Sequence, residues 1–109
     1  MMEVSPEELA ELIRRDGPRE FRLIDCREED EFNICRLDWA ELIPLARLPQ
    51  EAGRRLIDKD KPIVVYSHHG LRSQYACDVL TGLGYDYVYN LTGGINAWAE
   101  RIDPGLARY

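Results

Sequence analysis

An unbroken apolar run in the middle of the chain constrains the fold more than any other feature. The segment Ile63-Val64-Val65-Tyr66 has no polar interruption, and a run rich in β-branched residues is typical of a strand that is covered on both faces. Such strands belong to parallel sheets that lie between layers of helices. A loop of six residues, Ser67 to Arg72, follows this run and leads into a helix predicted from about Arg72 to Leu83. The sequence therefore predicts a βα unit of an α/β fold.

The rest of the chain predicts an alternation of helices and strands. Ser5 and Glu8 have the spacing of a capping box, which predicts a helix that begins there and ends at Gly17 and Pro18. Further strands are predicted at 21–25, 41–43 and 87–91, and further helices at 27–32, 49–57 and 95–100. Some apolar side chains are expected to turn inward from these helices, namely Leu56, Ile57, Ala76, Val79, Leu80 and Leu83. This order, with its short connections, is typical of a parallel α/β sheet.

Length and charge limit the domain organisation and the partners. The 109 residues allow one domain over residues 1–109, and the net charge of −6 argues against chain-wide binding to nucleic-acid phosphates. No apolar stretch approaches the roughly 18 residues of a membrane span, and the start of the chain does not resemble a secretion signal. Three cysteines without CxxC spacing, Cys26, Cys35 and Cys77, argue against a disulfide framework or a zinc cage. We therefore expect a cytoplasmic protein without metal, cofactor, nucleic-acid or membrane partner.

The loop after the central strand is the segment most suited to chemistry. Ligands of open α/β sheets bind at the carboxyl ends of the strands, and a loop that leads into a helix directs amide N–H groups and the positive end of the helix dipole toward one point. Gly70 allows the backbone to curl, and Arg72 supplies a planar set of donors. The pattern predicts a cradle for an oxyanion or a negatively charged nucleophile, with Ser67 at its start and formed by His68, His69, Gly70, Leu71, Arg72 and Ser73.

Three segments, in order, resemble the motifs of the rhodanese family. The loop Ser67-His68-His69-Gly70-Leu71-Arg72-Ser73 is similar to its active-site pattern C-x-x-G-x-R-S/T. Residues Leu23 to Phe32 resemble L-I/L-D-V-R-x-x-x-E-F/Y, and Asn90 to Trp98 resemble L-x-G-G-I/M-x-A-W. The stretch from Ile102 to Tyr109 also resembles rhodanese modules that stand alone or are fused to ubiquitin-like-protein activating enzymes. The resemblance implies a rhodanese-type three-layer α/β domain, with a mostly parallel five-stranded sheet flanked by helices.

The resemblance also implies a chemistry that needs a cysteine at position 67. In the family this thiolate takes a sulfane sulfur from a donor such as thiosulfate, holds it as a persulfide and passes it to cyanide or another thiol. A loop of this length has the size found in the sulfur-transfer members. Here the residue is Ser67, whose hydroxyl is a weaker acid than a thiol and cannot store sulfur as a persulfide. The implied ligand is a thiosulfate-like anion or a persulfidated protein thiol, and no thiosulfate:cyanide turnover is expected.

The serine leaves several explanations open. Ser67 is either native, in a loop that binds without turnover, or a replacement of the cysteine of an active sulfurtransferase. A third explanation is that Cys26 or Cys35 approaches the loop and acts instead, whereas Cys77 is expected in the core. A protein-binding module for a sulfur-carrier system is a further alternative. A serine nucleophile with a neighbouring histidine as its base is disfavoured, because adjacent residues of a tight loop usually point apart.

Residues outside the loop allow two interpretations each. Asp25 and Arg27 either orient the loop as supporting residues or form a structural ion pair at a strand end. The acidic run 28–31 is interpreted as a solvated face. Trp39 stands where the family's H-I/L-x-G-A stretch has a small residue, and its ring is expected near the rim of the site. Trp98 is either a pocket wall or a core residue.

Overall fold

Five strands and five α-helices alternate along the residues described by the computed structural model, which are 2–17 and 19–109. In chain order the elements are β1 Met2–Val4, α1 Pro6–Asp16, β2 Arg22–Asp25, α2 Glu29–Ile34, β3 Glu41–Leu42, a 3₁₀ turn Leu45–Arg47, α3 Leu48–Arg55, β4 Ile63–Tyr66, α4 Leu71–Gly82, β5 Val88–Leu91 and α5 Gly94–Arg101. The capping box of α1 is present, because Ser5 and Glu8 exchange side-chain and backbone hydrogen bonds. Gly17 caps the end of this helix, and Pro18 lies outside the described residues.

The sheet has the strand order β1-β5-β4-β2-β3, and every adjacent pair is parallel. The apolar run forms β4, which pairs with β5 on one side and β2 on the other. Asp25, the last residue of β2, lies opposite Tyr66, the last residue of β4. The segments after both strands therefore emerge at the same edge of the sheet. The predicted five-stranded α/β fold is confirmed.

Helices cover both faces of the sheet, as the apolar character of β4 requires. Val65 packs on one face in a buried cluster with residues of α3 and α4, including Leu80. Val64 packs on the opposite face with Leu9 of α1 and Ile95 of α5. Among the described residues, no helix has the length and apolar character needed to cross a membrane.

The structure differs from the sequence prediction at the ends of elements. β1 was not predicted, because it has three residues, of which two are exposed, and it pairs only with β5 at the edge. Ile57 was expected to face inward but is 79% exposed, since α3 ends before it and only Leu56 reaches the core. Leu83 is 40% exposed for a similar reason, because it follows the last residue of α4.

Candidate functional site

The loop between β4 and α4 lies at the carboxyl edge of the sheet. Gly70 precedes the first turn of α4 in the left-handed region, with φ of +103°. A side chain there would be strained, and its Cβ would also lie 3.4 Å from the backbone nitrogen of Gly93. The chain therefore turns sharply from a buried strand into a helix, as predicted from the glycine in this loop.

The start of α5 holds the backbone of this loop. The amide of Ile95 donates to the carbonyl of Ser67 at 2.9 Å, and the amide of Asn96 donates to that of His68 at 3.0 Å. Gly94 permits this approach, because a Cβ at this residue would lie 2.5 Å from both carbonyl oxygens. In a trans peptide the N–H points opposite to the C=O. The N–H groups that share a peptide bond with these two carbonyls, those of His68 and His69, therefore face away from α5.

The Ser67 hydroxyl lies inside a closed hydrogen-bond network. Its Oγ accepts from the amides of Gly70 and Ser73, each at 3.2 Å, and lies 3.1 Å from the Ser73 Oγ. Ser73 donates its own hydroxyl hydrogen to Oδ1 of Asn90 at 2.5 Å. The hydrogen between the two serines is therefore supplied by Ser67. The Ser67 hydroxyl is 1% exposed, and over residues 2–17 and 19–109 no base accepts its hydrogen.

The two histidine rings of the loop contact each other at a tilt, and that of His68 stacks on Tyr109. The ring centroids of His68 and His69 are 3.9 Å apart, and His68 stacks on Tyr109 at 4.0 Å with an interplanar angle of 13°. Burial, together with the neighbouring His69, lowers the pKa of His68. Within the described part of the chain, no hydrogen bond joins either imidazole to Ser67. The hypothesis of a serine nucleophile with a histidine base has no support in this geometry.

Arg72 binds an acidic side chain of α2. Its Nη1 and Nη2 donate to the two carboxylate oxygens of Glu31 at 2.6 and 2.8 Å. The hydrogen bonds from Arg72 lower the pKa of Glu31 to about 2. The interpretation of 28–31 as a solvated face is therefore wrong for Glu31, whose side chain is only 16% exposed. The guanidinium predicted to face an anion has two of its nitrogens on this carboxylate instead.

Asp25 and Arg27 form an ion pair in which both side chains are fully buried. Nε of Arg27 donates to Oδ1 at 2.9 Å, and Nη2 donates to Oδ2 at 2.6 Å. Nη2 also donates to the carbonyl of Cys35 at 2.6 Å. Burial would lower the pKa of Arg27, but the hydrogen bonds that its guanidinium donates to Asp25 and Tyr109, together with the negative charge of Asp25, outweigh burial and raise the pKa. This geometry agrees with the interpretation as a structural ion pair, and the pair reaches the loop only through other residues.

Tyr109 connects this buried pair with the partner of the loop arginine. Its hydroxyl accepts from Nη1 of Arg27 at 2.8 Å and donates to Oε2 of Glu31 at 2.7 Å. Burial raises the pKa of Tyr109 to about 12. A continuous polar chain thus runs from Asp25 through Arg27, Tyr109 and Glu31 to Arg72. Sequence reasoning did not find Tyr109, Glu31 or Asn90 as site residues, because each meets the loop only in the folded chain.

The cysteines do not line an open site. Cys26, Cys35 and Cys77 are free and buried. Burial raises the pKa of the Cys26 thiol and of the Cys77 thiol to about 12. Cys35 is 8% exposed, with its Sγ 3.9 Å from Nη1 of Arg27. Buried, protonated thiols are poor nucleophiles, so the explanation in which Cys26 acts instead of residue 67 loses its support. Over residues 2–17 and 19–109, no group of three or more potential metal ligands is present.

Trp39 lies away from the loop. Its ring is 57% exposed and lines a groove of about 360 Å³ together with Trp98 and Leu106, and no residue of 67–73 lines this groove. The expectation that Trp39 stands at the rim of the loop is therefore wrong. Its backbone is left-handed, with φ of +67°, which explains why a glycine suits the corresponding position of the H-I/L-x-G-A pattern.

Comparison with known proteins gives one consistent result. The family described as "Rhodanese-like domain" matches residues 5–101. The "Thiosulfate sulfurtransferase GlpE" of Shewanella oneidensis is 33% identical over 90 residues, which cover 83% of this chain and 87% of that protein. The crystal structure of a rhodanese-like domain protein from Staphylococcus aureus has a TM-score of 0.82 and 25% identity, and the match covers 100% of this chain and 99% of that one.

A longer relative contains a similar segment. The "Probable adenylyltransferase/sulfurtransferase MoeZ" of Mycobacterium tuberculosis is 32% identical over 106 residues, which cover 97% of this chain. This chain spans about a quarter of that protein, 26% of its length.

Proposed function

Because this chain belongs to the rhodanese-like domain family, we propose that residues 1–109 form one domain of the sulfur-transfer family that binds a sulfur-containing anion or a persulfide at loop 67–73. With serine at position 67, it does not turn over thiosulfate. Ser67 occupies the position of the family nucleophile, the residues from His68 to Ser73 form the anion site, and Asp25 and Arg27 support it. The domain uses no metal and no cofactor.

The network around Ser67 carries this proposal. Two amides, those of Gly70 and Ser73, converge on its Oγ. Amide donors at a helix N-terminus stabilise a negatively charged atom and lower the pKa of a thiol at such a position from about 8.5. An alcohol at the same position stays protonated at neutral pH and cannot carry a sulfane sulfur. The loop therefore keeps an environment suited to negative charge and has lost the atom that transfers sulfur.

The partners follow from the same environment. The carbonyls of Ser67 and His68 point toward α5, so the N–H groups of the same two peptides point away from it. These N–H groups can bind an anion or the terminal sulfur of a protein persulfide on the side opposite α5. A net charge of −6 disfavours nucleic acid as a partner. We also place the protein in the cytoplasm and expect no membrane partner, because three buried free thiols suit a reducing compartment.

The test compares the parent protein with Ser67→Cys and Ser67→Ala after treatment with thiosulfate. In Ser67→Cys the thiolate attacks the sulfane sulfur, the sulfur–sulfur bond of thiosulfate breaks, and sulfite leaves. Cyanide then takes the terminal sulfur as thiocyanate and regenerates the thiolate. We expect the mass of one added sulfur atom and thiocyanate release for Ser67→Cys only.

Two results would contradict the proposal. If Ser67→Cys gains no sulfur, the loop is not competent for sulfur chemistry. If the parent protein and Ser67→Ala both gain sulfur, another cysteine acts, and peptide mass spectrometry identifies it as Cys26, Cys35 or Cys77.

Two other candidates are each favoured by one observation. An active sulfurtransferase with a natural cysteine at position 67 is favoured by the intact loop, and the source gene's codon for this residue decides it. A protein-binding module for a sulfur-carrier system is favoured by Leu71 and Tyr75, which are 69% and 67% exposed and lie one turn apart at the start of α4. Substitution of Tyr75 by serine weakens binding to a partner protein in that case and leaves anion binding unchanged, because Tyr75 lies outside loop 67–73.

A further inference from the structure

We propose that Tyr109 is a positioning residue that holds Glu31 on Arg72 and covers His68, and thereby limits the access of anions to loop 67–73. The inference rests on the proposed anion binding. It assigns a role to a side chain that is distant in sequence from every loop residue.

The first observation is the saturation of the Glu31 carboxylate. Oε1 accepts from Nη1 of Arg72 at 2.6 Å and from the amide of Glu28 at 3.1 Å. Oε2 accepts from Nη2 of Arg72 at 2.8 Å and from the Tyr109 hydroxyl at 2.7 Å. Donors on both sides of the carboxylate therefore fix it against the guanidinium. An anion that uses these nitrogens of Arg72 has to displace Glu31 from them.

The second observation is the anchoring of Tyr109 itself. Its hydroxyl accepts from Arg27, which is fully buried and paired with Asp25. The preceding residue, Arg108, donates to Oδ1 of Asn96 at 2.9 Å and to Glu100 at 2.8 Å on α5. The Tyr109 hydroxyl is thus held in place by the buried Arg27, and its hydrogen bond to Glu31 holds that carboxylate in place. Loss of the hydroxyl releases one side of the carboxylate and makes its displacement from Arg72 easier.

The third observation is the space beside the loop. The ring of Tyr109 is nearly parallel to that of His68 and 4.0 Å from it. Between these rings, Cys35 and the start of α5, the free volume is only about 10 Å³. This volume is at the lower limit for a single water molecule. An anion cannot approach His68 from this side unless the Tyr109 ring moves.

The experiment separates the hydroxyl from the ring. Thiosulfate is titrated into the parent protein, Tyr109→Phe, Tyr109→Ala and Glu31→Gln, and the amide resonances of residues 68–73 report binding. Tyr75→Phe is the control, since this tyrosine is exposed and lies on α4. We expect the Kd for thiosulfate to fall at least threefold in Tyr109→Phe and to fall further in Tyr109→Ala and Glu31→Gln. The Kd of Tyr75→Phe should equal that of the parent protein.

A second measurement reports the geometry without any ligand. Nuclear Overhauser contacts between the rings of His68 and residue 109 are expected in the parent protein and in Tyr109→Phe. In Tyr109→Ala the His68 ring resonances lose the ring-current shift from the tyrosine.

The failures are distinguishable. If none of the variants binds thiosulfate, the proposed anion binding fails and the inference fails with it. If Glu31→Gln binds more tightly while Tyr109→Phe equals the parent protein, only the role of Tyr109 is overturned. Absence of contacts between His68 and Tyr109 in the parent protein overturns it as well.

Discussion

Replacement of Arg27 by methionine tests the energetic importance of the buried ion pair. The substitution keeps an unbranched side chain, shorter than that of arginine, and removes the guanidinium. The Asp25 carboxylate then stays fully buried and keeps only one of its hydrogen bonds from residue 27, the one donated by the backbone amide at 3.0 Å. The carbonyl of Cys35 and the hydroxyl of Tyr109 each lose a donor.

The expected loss is large in relation to the stability of a domain. Removal of one partner from a buried ion pair costs about 3–5 kcal/mol, because an uncompensated charge stays in the interior. Domains have free energies of unfolding of only about 5–15 kcal/mol. We therefore expect Arg27→Met to lose about 3–5 kcal/mol, and a double variant with Asp25→Leu to regain part of it because neither charge remains.

Urea unfolding followed by circular dichroism measures these differences. The matched control is Arg54→Met, because the Arg54 side chain is 75% exposed and its contact with Glu51 is 3.4 Å long. Exposed ion pairs contribute about 0–1 kcal/mol, so little change is expected there. A loss below about 1 kcal/mol for Arg27→Met would refute the reasoning that the pair is buried and essential.

Three further predictions concern single positions. Gly94→Ala places a Cβ 2.5 Å from two loop carbonyl oxygens, so we expect the free energy of unfolding, measured by thermal unfolding, to fall by more than about 2 kcal/mol. The control Gly53→Ala lies on α3 with nothing within 4 Å of the new Cβ and should gain about 0.5–1 kcal/mol. Equal melting temperatures of the two variants would contradict the close contact. Trp39→Gly should be about 1 kcal/mol more stable than Trp39→Ala, because only glycine adopts φ of +67° without strain, and equal stabilities argue against that backbone. The folded-state pKa of Glu31, about 2, is below its ordinary value of 4.5, so its stabilisation is complete above pH 4.5 and is lost toward pH 2. Glu31→Gln should make the urea midpoint depend less on pH over that range. A pH dependence equal to that of the parent protein would contradict the ion pair with Arg72.

The sequence predicted the centre of the fold better than its edges. β4 was found because four consecutive apolar residues report a strand covered on both faces, and α4 was found because its apolar residues recur on one side of a helix that Gly82 and Gly84 end. β1 carries no comparable signal, since its three residues are held by pairing with β5 and not by burial of their side chains. Ile57 was misplaced because its helix ends early, which depends on local backbone angles that hydrophobicity does not report.

The contiguous part of the candidate site was predicted, and the residues that come from distant parts of the chain were not. The loop is contiguous, so a single segment revealed Gly70 and Arg72 together. The partner of Arg72 and the residue that holds this partner are distant in the chain: Glu31 lies 41 residues from Arg72, and Tyr109 lies 78 residues from Glu31. An acidic residue on a short helix resembles any solvated carboxylate until the tertiary structure places a cation beside it. One sequence alone therefore gave the loop but not the groups that hold its arginine.

The attachment of the loop to α5 has a consequence for how such a protein changes over generations. The carbonyls of Ser67 and His68 are fixed by the helix, and this bonding involves no atom of the side chain at position 67. Exchange of an alcohol for a thiol, which one base substitution in a codon achieves, therefore leaves these two hydrogen bonds to α5 in place. Reactivity at this position can be lost or regained independently of the architecture, so the two properties are free to diverge in evolution.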